Sequence, residues 1–397
     1  MIDYILILNA GSSSLKFGVY ELLKAENWQP VTRGQIDGIG SAPVLQAKNA
    51  AEKLIIRQNL ERAVQDGYQA LDVLADWLHA QFPDARIRAV GHRVVHGGTK
   101  YFGPVLVTNN VLADLQKLIP LAPLHQPYNL GAIEAVFKRL PDTPQVACFD
   151  TGFHQNHENV VDLIPLPLEI RQKGVQRYGF HGLSYEYICS VLPRVAPEIS
   201  DGRIIAAHLG SGASLCAISN GKSIDSTLGF TPLDGLCMGT RPGALDPGVV
   251  LYLFQMLGLS AKEVESLLYR KSGLLGISGI SNDMRILLER NEPEAQLAVD
   301  YFVYRAVKEI GALTAVLGGI DALVFTGGIG EHSSIIRHRI CKRFSWLGLE
   351  LDEEANKRND IRISNVQSKV SVWVIPTDEE GMIVRHITSL LDLSMFS

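Results

Sequence analysis

Two arginines and a histidine, set among turns of small residues, are the side chains of this sequence best suited to chemistry on a phosphate. Arg93 lies in Gly91-His92-Arg93-Val94-Val95-His96-Gly97-Gly98, and alternation along a strand puts Arg93 and Val95 on one face. A guanidinium fork beside a small apolar wall suits a carboxylate with a short alkyl tail. Arg241 sits in Met238-Gly239-Thr240-Arg241-Pro242-Gly243, downstream of Pro232, in a loop constrained by proline and glycine. His181 belongs to Arg177-Tyr178-Gly179-Phe180-His181-Gly182, a run crowded with aromatic, basic and glycine residues. Two cations and an imidazole are what a moving phosphoryl group needs as charge spreads over its equatorial oxygens. Asp150 ends the apolar run Gln145–Phe149, a place where α/β sheets bind ligands. Duller readings stand beside these: Arg241 as a solvated arginine, Arg177–Gly182 as a packed turn, Asp150 as a cap before Thr151-Gly152.

Gly11–Ser14, Gly210–Gly212 and Gly327–Gly330 each follow a strand-like apolar run. Such turns offer backbone N–H groups to phosphate oxygens. Any one of them also reads as a plain tight turn, but the three together favour a nucleotide cleft. Better-known phosphate motifs are missing. Gly221-Lys222-Ser223 ends like a P-loop, yet Cys216 stands where the upstream glycine is required. Neither Gly210-Ser211-Gly212 nor Gly328-Ile329-Gly330 extends to a full dinucleotide-binding fingerprint. His92 and His96 lack an acidic or cysteine neighbour at ligand spacing, so structural histidines are expected rather than a zinc pair.

The elements that must position these residues follow a repeated pattern. Tyr4–Leu8, a small-residue turn and Leu15–Tyr20 predict a β-hairpin, and Ile204–His208, Leu209–Ala213 and Leu215–Ile218 predict another. The repeat suggests a duplicated α/β domain. Helical spacing marks Leu60–Leu78, Asn109–Leu118, Asn129–Leu140, Val249–Leu257, Ala261–Tyr269 and Ala295–Leu317. Further strands are expected at Gln145–Phe149, at Ala322–Phe325 opening into a turn over Thr326–Glu331, and at Val372–Ile375. Pro376-Thr377-Asp378 then caps a closing helix, Glu379–Leu391. With 397 residues, two domains are expected: 1–150 together with the C-terminal helix of about 380–397, and 151–379. The hinges fall near Asp150–Thr151 and close to the C-terminal helix. A hydrophobic content of 46% with 20% charged residues is that of an ordinary globular enzyme. A net charge of −5 argues against nucleic acid as a partner. Five scattered cysteines point to a reducing compartment. No basic leader and no apolar run near the ~20 residues of a membrane span are present, so a cytoplasmic protein without a membrane partner is expected.

Taken in order, several segments resemble acetate kinases: Asn9–Lys16, His92–Gly98, Tyr178–Gly182, His208–Gly210, Met238–Arg241, Phe325–Glu331 and Pro376–Glu380. The resemblance covers nearly the whole chain, from about residue 5 to residue 385. It implies the fold shared by acetate and sugar kinases, heat-shock chaperone ATPases and actin, in which two RNase-H-like domains flank an ATP cleft. It further implies a homodimer using ATP with Mg2+ or Mn2+. By the family pattern, Asn9 and Glu379 lie at the metal and Lys16 near the phosphates. His208, Leu209, Gly210, Ser211, Gly212, Asp283, Met284, Arg285, Gly328, Ile329, Gly330, Glu331 and His332 line the nucleotide. Arg93, Val95, Leu124, Phe180 and Pro232 form the acyl pocket, and Asp150, His181 and Arg241 are catalytic. The chain departs from the pattern at Ser211 and His332, where the family usually has Asn, and at Pro242-Gly243-Ala244, where it has Ser-Gly-Asp. The expected reaction is in-line phosphorylation of acetate by Mg·ATP. Propionate and butyrate are rival substrates. A sugar or glycerol kinase fits Arg93 less well, and a nucleotide-binding sensor or assembly protein would make no acyl phosphate.

Overall fold

A continuous apolar run, Tyr4–Leu8, starts the first sheet of the computed structural model, which describes residues 2–24, 27–60, 64–155 and 157–391. The chain forms two units, Met1–Gly152 with Asp378–Ser397, and Phe153–Thr377. In the first, β1 (Ile2–Ala10), β2 (Ser14–Lys24), β3 (Asn27–Asp37), β4 (Val44–Asn49) and β5 (Leu54–Asn59) run as an antiparallel meander. Then come α1 (Gly67–Gln81), β6 (Ala85–Val94), β7 (Val105–Leu106), α2 (Asn109–Gln116), α3 (Gln126–Arg139) and β8 (Gln145–Phe149). The sheet order is β5-β4-β3-β2-β1-β6-β8-β7, with β1, β6 and β8 parallel.

Leu6, Leu8, Leu15 and Phe17 face one side of this sheet and bury against Leu71 and Leu74 of α1 and Ala132 and Val136 of α3. The helix expected from Leu60 begins only at Gly67, because the Asp66 carboxylate accepts from the Gln69 N–H at 2.9 Å and caps the helix there. Residues 61–63 of that expected span lie outside the described residues, as do 392–397 of the expected C-terminal helix. The other sheet face receives that helix, Glu379–Leu391. It seats closely because Gly91 has no side chain: a Cβ there would lie 2.5 Å from Ile383, 2.7 Å from Ile387 and 2.8 Å from Ile7. Arg33 on β3 ties down the helix start, donating to Asp378 Oδ1 at 2.7 Å and lying 3.1 Å from Glu380 Oε2.

The second unit comprises α4 (Leu168–Arg171), α5 (Gly182–Val195), β9 (Arg203–Leu209), β10 (Ala213–Ser219) and β11 (Lys222–Ser226). A helical stretch follows: α6 (Pro247–Gln255), α7 (Ala261–Arg270), α8 (Gly273–Ser278), α9 (Met284–Leu288) and α10 (Pro293–Val316). It ends with β12 (Ala322–Thr326), α11 (Gly327–His332), α12 (Ser334–Cys341), α13 (Glu353–Arg358) and β13 (Ser371–Val374). Its sheet runs β11-β10-β9-β12-β13, with the first three strands antiparallel and the last two parallel to β9 or to each other. The core of the first sheet, β3-β2-β1-β6-β8, has the same plan, so the duplicated α/β architecture is present. One local expectation fails. Thr326–Glu331 is not a loose turn: Thr326 is the extended N-cap of α11, and Glu331 reaches back to accept from the Gly327 N–H at 2.9 Å. No helix among the described residues is long and apolar enough to cross a membrane.

His92 and His96 are buried and hydrogen-bonded, as structural histidines are. His92 Nε2 meets Gln145 Oε1 at 2.8 Å, and His96 Nδ1 accepts from the Gly98 N–H at 2.9 Å. Burial pushes both imidazoles down to about 4. A neutral ring is thus favoured in the fold, so the stabilisation is full above the ordinary value near 6.5 and is lost as pH falls through 4. For His92 this amounts to about 3 kcal/mol. His92→Gln, which cannot titrate, should therefore flatten the fall of Tm between pH 7 and pH 4. Equal slopes in the variant and the parent would remove His92 as a source of acid sensitivity.

Candidate active site

In the first unit the polar groups gather beyond the C-terminal ends of the parallel strands. Asn9 pairs with Lys16 across β1 and β2, one step past the Leu8–His92 register that leads to Arg93 on β6. Asn9 and Lys16 thus follow Ile7 and Gly18 on the face that carries Gly91 and Arg93. Arg93 donates from Nε and Nη2 to the two carboxylate oxygens of Asp150, both at 2.8 Å, and its Nη1 lies 3.1 Å from Glu379 Oε2. Asp150 is 5% exposed in its side chain against 23% for Arg93. Burial raises the Asp150 carboxyl above its ordinary range, Arg93 pulls it down, and Glu379 adds to the rise. Two carboxylates on one guanidinium leave an excess negative charge, and with Asn9 on the same face the donors are all oxygens. Such a set fits a hard divalent cation that keeps several waters and takes its other ligands from a substrate phosphate.

Val95 lies just past the end of β6, with its N–H donating to Asn129 Oδ1 at 3.0 Å. Asn129 in turn donates from Nδ2 to the Ala10 carbonyl at 2.7 Å, so one buried amide ties the end of β6 to the end of β1. Sequence reasoning missed this residue. Its signal was a polar side chain on the apolar face of the 126–139 helix, shared with Gln126, which donates to the His96 carbonyl at 3.1 Å. Leu124 is half-buried in the turn before α3.

In the second unit, His181 and Arg241 converge on the loop between β9 and β10. A Cβ added to Gly212 would lie 3.3 Å from His181 Nε2 and 3.8 Å from Arg241 Nη2, so glycine leaves both groups free to face the loop. His181 Nδ1 is held by Ser214 Oγ at 2.8 Å, which also contacts the Tyr185 hydroxyl. The His181 ring stacks on His208 at 4.3 Å between centroids, and His208 Nδ1 meets Ser184 Oγ at 2.8 Å. Arg241 donates from Nη1 to the Pro232 carbonyl at 2.9 Å. Among the described residues no carboxylate pairs with it, and burial lowers its pKa. A desolvated guanidinium without a counter-charge, beside an imidazole, is a site for an anion.

The residues expected to line a nucleotide lie around the same strand ends. A Cβ on Gly210 would be 3.8 Å from the Gly328 amide nitrogen, while a Cβ on Gly328 would meet nothing within 4 Å. The Ser211 carbonyl accepts from the Gly239 N–H at 3.2 Å, and a Cβ on Gly239 would lie 3.1 Å from the Asn282 carbonyl, next to Asp283. Asp283 caps α9 and pairs with the exposed Arg285 at 2.6 Å. Ile329 is half-buried and His332 exposed. Several expected residues have no side chain to offer. Met284 and Leu209 are buried, at 3% and 0% exposed, and Gly330 is buried as well. Glu331 spends its carboxylate internally, on the Gly327 N–H and on the Thr377 N–H at 3.2 Å. Its part is to hold the entry of α11.

A profile described as the Acetokinase family matches residues 4–385. An acetate kinase of Rhodopseudomonas palustris is 51% identical over 396 residues, covering 99% of both chains. One of Nitrobacter hamburgensis is 52% identical over 390 residues, covering 98% of this chain and 96% of that one. Among solved structures, Porphyromonas gingivalis acetate kinase superposes with a TM-score of 0.88 at 38% identity, covering 98% of this chain and all (100%) of that one. A propionate kinase of Francisella tularensis gives 0.90 at 35% identity, covering 97% and 98%.

The geometry sets a test of its own. Arg93→Ala would strand the buried Asp150 carboxylate, which should cost about 3–5 kcal/mol in urea unfolding. Adding Asp150→Asn should return most of that loss. A double variant as unstable as the single one would place the cost elsewhere.

Proposed function

This chain belongs to the acetokinase family, and on that premise we propose that it phosphorylates acetate reversibly with ATP, giving acetyl phosphate and ADP. The observation that carries the mechanism is the pairing of Arg241, a buried cation without an acidic partner, with His181 at Gly212. A carboxylic acid with a pKa of about 4 is already ionised at neutral pH. The nucleophile therefore requires no general base. Asp150 occupies the Nε–Nη2 edge of Arg93 and so orients the guanidinium, and the acetate carboxylate is assigned to the Nη1 side, which it would share with Glu379. Val95, Leu124, Phe180 and Pro232 are the residues assigned to the methyl group. Asn9 and Glu379 would hold magnesium, which neutralises charge on the triphosphate. Lys16, exposed on the same face as Asn9, is assigned to the phosphates. Arg241 and His181 stabilise the phosphoryl group as it moves.

Arg241→Ala should lower kcat about a hundredfold, the usual loss for one such contact, with a much smaller change in the KM for acetate. The readout is trapping of the acyl phosphate by hydroxylamine, with acetate, propionate and butyrate offered in turn. Near-normal turnover in the variant would remove Arg241 from the transition state. Higher kcat/KM on propionate would reassign the substrate, since one methylene is worth about 1–3 kcal/mol.

We further propose a homodimer joined through the second unit. α6 exposes Val249, Leu251, Tyr252 and Phe254 and is followed by exposed Met256 and Leu257. α10 exposes Leu297, Tyr301 and Tyr304, spaced as one helical stripe. Apolar surface of this kind is normally covered. ATP as substrate and cysteines that form no disulfide among the described residues support a cytoplasmic reaction. Sedimentation should give twice the chain mass for the parent and the monomer mass for Leu251→Asp with Tyr304→Asp. A monomeric parent would overturn the dimer.

A further inference from the structure

Four side chains of the second unit that the mechanism leaves unused form a continuous run of hydrogen bonds. Asp162 Oδ1 lies 2.8 Å from His157 Nδ1, and His157 Nε2 lies 2.8 Å from Ser223 Oγ. Ser223 Oγ is 2.8 Å from His154 Nδ1, and His154 Nε2 is 3.0 Å from the Phe180 carbonyl oxygen. His154 also packs on Gly179, where an added Cβ would come within 2.5 Å of the ring. Gly179, Phe180 and His181 are consecutive, and His181 has φ 59°, a left-handed conformation that a residue with a Cβ adopts only when its surroundings hold it there.

Serine, histidine and aspartate in this order are also the parts of a hydrolytic nucleophile. Burial excludes that role, for Ser223 is 2% exposed. The directions of the bonds exclude it again. A carbonyl only accepts, so His154 Nε2 carries a hydrogen. Burial holds the His154 ring down to about 3, so it is neutral and Nδ1 is a lone pair. Ser223 must donate its one hydroxyl hydrogen there. Its oxygen then accepts from His157 Nε2–H, and can accept also from the Cys216 thiol at 3.3 Å. The other nitrogen of His157 faces a carboxylate, which accepts too. His157 is paired with Asp162, and the run ends on two acceptors, the Asp162 carboxylate and the Phe180 carbonyl.

We propose that Asp162, His157, Ser223 and His154 are a positioning relay that fixes the Phe180 carbonyl and, through it, the left-handed turn that presents the His181 imidazole. The proposal rests on His181 acting in the phosphoryl transfer, as assigned above. The test compares His154→Leu, which deletes the donor to Phe180, with His154→Gln, whose amide can replace it, and with His181→Ala as reference. His154→Leu should lower kcat about a hundredfold, the loss typical of a reacting group displaced by an ångström. The KM values for ATP and acetate should stay near those of the parent, and His154→Gln should recover most of the turnover. A thermal melt checks that each variant folds. If His154→Leu does not fold, Asp162→Asn at the half-buried far end carries the same test, with a several-fold fall in kcat and unchanged KM. Normal turnover in the relay variants, with His181→Ala impaired, overturns the relay and leaves the reaction assignment intact. The same holds if His154→Gln is no better than His154→Leu. Normal turnover in His181→Ala removes both.

Discussion

The bidentate pair of Arg93 with Asp150 is the interaction on which the polar cluster of the first unit depends. A buried carboxylate is costly without a partner, and a long cationic side chain wanders without one. Each removes the other's difficulty. Asp150 can sit at the end of β8 because the fork of Arg93 meets both its oxygens, and Arg93 has a defined direction because Asp150 holds one of its edges. Glu379 completes the group from a segment more than two hundred residues further along the chain. What remains is an ordered cation with one edge turned to a second acid.

The second unit solves the opposite electrostatic problem. Arg241 has a carbonyl for a partner and no carboxylate among the described residues, so its charge stays available to an incoming anion. Compensation comes from dipoles and stacking: the Pro232 carbonyl on Arg241, the His181–His208 stack, and the serines on the outer nitrogens of both rings. The two units share a strand plan but not a charge plan: in the first a guanidinium meets two carboxylates, and in the second, among the described residues, it meets none.

Much of this was legible in the residues. The repeated strand–turn–strand units predicted the two matching hairpins, and the spacing over Val249–Leu257 and Ala261–Tyr269 predicted helices that the structure contains. Arg93, Asp150, His181 and Arg241 could be singled out by type and setting. Other features were hidden for physical reasons. Glu331 looked like a site residue because it follows a glycine turn, yet the backbone it caps is its own. Asn129 and Ser214 act through hydrogen bonds that reach back 34 and 33 residues of sequence, to Val95 and His181, which no local periodicity reveals. The meander strands β3 to β5 carry mixed, half-exposed residues and gave little pattern to read.

The C-terminal helix has a consequence for how this protein comes into being. Ile383 and Ile387 cover Gly91 and Ile7, and Glu380 lies over Gly18, so the first sheet is finished by residues that are synthesised after the whole second unit. Until then the nascent sheet exposes one of its two faces for the whole time the second unit is being made. Vectorial synthesis, which usually lets an N-terminal domain mature early, here leaves that domain waiting, and its apolar face is a natural client surface for holding chaperones.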